Sequence, residues 1–113
     1  MTTITEDIRA RVERGAAWLD EHRPGWVGGV DPEELDLSDP HLCILGQLDG
    51  HFVDAVKARL GGDGDRAAAL GFAAPRLSAV WMSRAQYDAF VERWQREQAA
   101  AWRDLITARR AAA

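Results

Sequence analysis

The segment Pro40-His-Leu-Cys-Ile-Leu-Gly-Gln-Leu-Asp-Gly-His-Phe52 is the most apolar run of the chain, and it holds the only cysteine and two of the three histidines. Leu42, Leu45, Leu48 and Phe52 recur at helical spacing, so they share one helix face. Asp39 before Pro40 supplies an N-cap residue and a first-turn proline. The reading is a central helix over about 40–60, continued by Val53, Val56 and Leu60 to Gly61-Gly62. On one continuous helix, Cys43, Gln47, His51 and Asp54 form a second, polar stripe. Gly46 and Gly50 each cost about 1 kcal/mol relative to alanine. Each marks either a close approach of another backbone or a break, and the sequence leaves both open.

Upstream of this segment, Thr3 with Glu6 fits a capping box, and Ile8, Val12, Ala16 and Leu19 keep helical period. A helix over about 5–22 is expected to stop before Arg23-Pro24-Gly25, with Trp26 and Val27 folding back onto it. Asp31-Pro32-Glu33-Glu34 reads as the start of one short helical turn that brings Leu35 and Leu37 to the core. Downstream, Asp65 is expected to cap a short helix from Arg66 to Leu70, closed by Gly71 with Phe72 packing back. Residues 73–83 read as an extended or irregular arm. Ser83 with Gln86 then opens the longest helix, over about 84–110. The fold class is all-α: a single domain over 1–113, a bundle of four to five helices with a long C-terminal helix.

Composition narrows the function classes. A hydrophobic share of 47% with 28% charged residues fits a globular chain. Its apolar runs are too short to span a membrane, and an N-terminus of polar and acidic residues resembles no secretory signal. One cysteine fits a reducing cytoplasm, where the protein is expected to act. Residues 1–40 carry net −6 and residues 66–113 net +4, within a total of −4. That balance argues against general nucleic-acid binding, which needs a dominant positive field. It fits either two ends of one chain packing together or head-to-tail association.

The sites offered by the sequence fall into two groups. Cys43, Gln47, His51 and Asp54 could form a small-molecule, metal or nucleophilic site. The spacing from Cys43 to His51 is, however, roughly 12 Å along a continuous helix, too long for one ion, and no cofactor is implied. The acids Asp31, Glu33, Glu34, Asp36 and Asp39 lack the calcium-loop pattern. The second group comes from the last helix. At roughly 40 Å it outspans a body of about 35 Å estimated from chain length, so its final turns need a cover. Trp94, Trp102, Ile106, Arg109 and Arg110 are the expected contact residues for a protein partner or a second copy, with a dimer as the simplest case. On that reading Trp102→Ala weakens association without unfolding the domain.

The series Gly15-Ala-Ala-Trp-Leu-Asp-Glu-x-x-Pro-Gly-Trp26, Leu35-Asp-Leu37, Cys43-Ile-Leu-Gly-Gln-Leu-x-Gly50, Leu70-Gly-Phe72 and Trp102-x-x-x-Ile-x-x-Arg-Arg110 resembles a group of small proteins of actinobacteria and their phages. The resemblance covers most of the chain, with 73–98 longer and less typical. It implies a cytoplasmic accessory protein rather than a housekeeping enzyme, and no catalytic residue. The leading expectation is therefore a non-enzymatic interaction or regulatory module.

Overall fold

A computed structural model describes residues 3–76 and 81–112 of the chain. Among them are six helices: α1 (Ile4–His22), α2 (Trp26–Gly29), α3 (Ile44–Asp49), α4 (Phe52–Leu60), α5 (Gly64–Ala69) and α6 (Arg84–Ala112). The all-α expectation holds. The count exceeds four to five because the central helix divides in two and Trp26 opens a single turn of its own. The Leu-Ser-Ala-Val stretch of the expected arm, 77–80, lies outside the described residues.

The first and last helices follow their amphipathic pattern. Thr3 and Glu6 close the capping box of α1, and Ser83 and Gln86 exchange the same pair of bonds before α6. With 29 residues, α6 runs about 43 Å at 1.5 Å per residue, close to the 46 Å long dimension of the molecule. Arg11 lies over Trp94, and Asp20 pairs with Arg109. The two helices therefore run side by side in the same direction. α1 covers the later turns of α6, and the first turns project beyond it. Overhang exists, but at the opposite end from the one expected.

The central segment departs most from its sequence reading. Helix α3 begins at Ile44, not at Pro40, and its N-cap is Cys43, whose Sγ accepts the Gly46 N–H at 3.3 Å. Asp39 instead organises a turn: its side chain takes the His41 N–H at 2.8 Å, and its carbonyl takes those of Leu42 and Cys43. That turn lies so close over α3 that a Cβ on Gly46 would sit 2.2 Å from the Pro40 carbonyl oxygen. Gly46 is therefore a close approach. Gly50, at φ +95°, is the break. The short helix after Gly62 is capped by Asp63 rather than Asp65 and starts at Gly64. Residues 32–34 form the one short turn expected there, with Leu35 in the core and Leu37 packed against it.

One core joins these pieces. Ile8, Val12, Ala16 and Leu19 of α1 meet Trp94, Trp102 and Ile106 of α6, with Trp26, Ile44, Leu45, Leu60 and Phe72 completing it. Trp102 is the centre of an aromatic group. It stacks on Phe72 at 5.7 Å, meets Trp26 edge-on at 5.8 Å, and donates its indole N–H to the Gly71 carbonyl at 2.7 Å.

Candidate functional site

The break at Gly50 disperses the proposed polar stripe. Cys43 is buried as the α3 cap. Gln47 clamps the preceding loop: its carbonyl oxygen accepts from Asp31 N at 2.7 Å, and its amide donates to the Asp31 and Leu42 carbonyls at 3.1 and 3.0 Å. His51 caps α4, its Nδ1 accepting the Val53 N–H at 3.1 Å. Asp54 lies exposed in the first turn of α4, where a carboxylate suits the helix dipole. Three of the four side chains are therefore engaged in shaping the backbone, and the four share no common cleft.

His51 does meet a second histidine. His41 lies edge-on to it with ring centroids 5.0 Å apart, and His41 Nδ1 pairs with the Gly50 carbonyl at 2.8 Å. A carbonyl partner leaves His41 Nε2 with its lone pair free, as in a metal-ligating histidine that donates its other ring N–H to a backbone carbonyl. His51 is reversed. Its Nδ1 accepts, so in the neutral ring Nε2 carries the proton. Coordination there would cost the α4 cap or a further proton. Among the described residues no group of three or more His, Cys, Asp or Glu side chains could hold a metal ion.

Cys43 lines a mostly apolar cleft of about 340 Å³ with Pro40, Phe52, Phe72 and Tyr87. Burial pushes its thiol pKa up, and the N–H groups of the α3 start only partly offset this. A thiolate, the reactive form, is thus disfavoured. We expect Cys43 to resist iodoacetamide in the native protein and to label fully in denaturant. Rapid native labelling would instead make the cleft a reactive site.

The contact residues expected on α6 are engaged inside the chain. Trp94, Trp102 and Ile106 are 4%, 0% and 0% exposed, which corrects their assignment to a partner surface: α1, α2 and Phe72 cover them. Arg109 pairs with Asp20 and lies over the Trp26 ring. The Arg109 guanidinium holds the Asp20 carboxyl below its ordinary pKa. Arg110 donates to the Val27 and Val30 carbonyls at 2.9 and 2.6 Å, and Arg103 to those of Pro32 and Leu35 at 3.0 and 2.8 Å. The basic last third therefore secures the irregular acidic segment. Asp20–Arg109 is the ion pair that joins the acidic first third to the basic last third among the described residues.

Sequence reasoning passed over three features. Asp49 is gripped by Arg23 and Arg59, joining the end of α1 to α3 and α4. Burial works to raise its pKa, but the hydrogen bonds from Arg59 and Arg23 prevail and hold it below the ordinary value. The partners lie 26 and 10 residues away, so no local motif announces them. Trp81 is 80% exposed, in contrast to the other four tryptophans. Finally, a groove of about 520 Å³ runs between α1 and α6, with Ile8, Val12, Ala101 and Leu105 among its lining residues. No helix among the described residues is long and apolar enough to cross a membrane. No protein-family model matches the chain, and no curated protein or solved structure shows significant similarity to it.

Proposed function

We propose that this chain is a non-enzymatic protein-interaction module, an accessory protein of the kind its sequence resembles, which self-associates through the end of the molecule bearing Trp81. The carrying observation is the exposure of Trp81 beside the projecting first turns of α6. A tryptophan offers roughly 150–250 Å² of burial and is enriched at interface hot spots. Here it is left in solvent, whereas Cys43, Gln47, His51, Arg103, Arg109 and Arg110 are used internally. A symmetric contact centred on two copies of Trp81 would need about 1,200–2,000 Å² in total, so neighbouring turns of α6 must contribute.

Native mass spectrometry over a range of protein concentrations tests this reading. The expected result is a metal-free dimer that dissociates on dilution. Trp81→Ser should shift the population to monomer without lowering the melting temperature. A wild-type monomer at every concentration would remove self-association from the proposal. A stoichiometric bound ion would favour the Cys43–His51 region instead.

A further inference from the structure

The cleft beside Cys43 presents an apolar wall that solvent can reach. Leu37, Phe52, Tyr87 and Val91 are half-buried there, and Pro40 is exposed. Among the described residues Arg76 is the only charged side chain that lines it, so an apolar occupant strips no carboxylate of its water. The α1–α6 groove, by contrast, carries Glu13, Glu97 and Asp104. At about 340 Å³ the cleft is at the small end of the range of pockets that enclose a ligand, roughly 300–1,000 Å³. It suits one large ring system better than a helix. Trp81 lies close to it in the chain, five residues after Arg76 and six before Tyr87. Its indole is 80% exposed and does not fill the cleft of its own chain. The other exposed large apolar side chains, Val53 and Ile4, reach only 46% and 43%.

We infer that the Trp81 indole of one copy inserts into this cleft on a second copy, and that the exchange is reciprocal. A two-fold contact repeats every pairing, so the partner's Trp81 enters the cleft of the first copy. Trp81 and the cleft both adjoin the start of α6, which lets one axis serve both pairs. Two indoles supply roughly 300–500 Å² of buried area, and the cleft walls that receive them add about as much. The projecting first turns of α6 provide the rest of the roughly 1,200–2,000 Å² that a stable contact buries. Arg76 adds a cation for the incoming ring. It makes no ion pair among the described residues, and the chain already sets Arg11 over Trp94 and Arg109 over Trp26. The inference rests on the self-association reading and names the surface that receives Trp81.

Native mass spectrometry of two variants, alone and mixed, provides the test. Val91→Arg puts a long charged side chain into the cleft. Val91 is half-buried and stands outside the hydrophobic core, so an unaltered melting temperature is expected. The dimer of this variant should weaken at least about tenfold, near 1.4 kcal/mol, as should that of Trp81→Ser. A mixture of the two retains one complete pair, the indole of one variant in the intact cleft of the other. The mixed dimer should therefore form more tightly than either variant's own. Stacking of Trp81 on Trp81 gives the opposite pattern: Val91→Arg dimerises like the wild type, and mixing recovers nothing. Either of those results overturns the inference while leaving association through Trp81 in place. A ladder of species beyond the dimer would show head-to-tail insertion and overturn the reciprocal exchange. If Val91→Arg melts lower, Tyr87→Ala, which widens the cleft instead of filling it, takes its place in the same mixing experiment. A wild-type monomer at every concentration overturns the inference and the self-association reading together.

Discussion

Trp102→Ala is expected to destabilise the protein by about 3–5 kcal/mol, the usual cost of removing a large buried aromatic. Its indole is fully buried, stacked on Phe72 and edge-on to Trp26. The alanine variant loses those contacts, leaves a cavity at the meeting point of α1, α2 and α6, and strands the Gly71 carbonyl that the indole N–H satisfies. Against a total stability of about 5–15 kcal/mol for a domain of this kind, that is a large fraction. A fall in melting temperature of more than about 10 °C should follow. Trp102→Phe separates the components. It keeps an aromatic ring beside Phe72 but cannot donate to Gly71, so it should cost about 1–3 kcal/mol for the unsatisfied carbonyl, plus a smaller cavity. Unchanged melting with altered stoichiometry in Trp102→Ala would return this residue to the surface and overturn the core assignment.

That prediction reverses what the sequence alone suggests, and the reason is physical. Periodicity identifies the apolar face of α6 but not the element that covers it. The length argument correctly implies that α6 outruns its support. It cannot give the direction in which α1 packs, and a parallel α1 places the cover over Trp102 and Ile106 and leaves the Trp81 end bare. Arg103, Arg109 and Arg110 look like a free basic strip in sequence, because the carbonyl groups and the carboxylate they bind lie 68–89 residues away. Long-range pairings of this kind leave no local signature.

The same contrast runs through the central segment. Capping boxes at Thr3–Glu6 and Ser83–Gln86 are local, so α1 and α6 start where the residues indicate. Asp39-Pro40 carries the same kind of local signal, yet a tighter turn uses Asp39 and delays the helix to Ile44. Cysteine is an uncommon cap, and Cys43 serves as one because the Pro40–His41 backbone lies against Gly46. The candidate stripe of Cys43, Gln47, His51 and Asp54 failed for a related reason. It needed one helix across Gly50, whose positive φ turns the chain instead.

Gly15→Ala should destabilise the fold by several kcal/mol, although the local effect has the opposite sign. In an exposed helix interior this replacement stabilises by about 1 kcal/mol. At Gly15, however, the added Cβ would lie 1.9 Å from the Leu70 carbonyl oxygen and 3.0 Å from two ring carbons of Trp102. The backbone after α5 and the central indole thus both occupy the space a side chain would take. Neither can yield easily, because the same indole is bonded to Gly71 and stacked on Phe72. Overpacking of a tight core costs about 1–3 kcal/mol, and a contact with backbone at that distance forces α1 away from α5 at further cost. Gly28→Ala is the internal control: nothing lies within 4 Å of its added Cβ, so thermal unfolding should show a neutral or slightly positive effect. The two replacements are chemically identical, so their difference isolates the close approach of α1 to the Leu70–Gly71 turn. A Gly15→Ala protein as stable as the wild type would mean that α1 does not lie against that turn, and the Trp102-centred core would have to be redrawn.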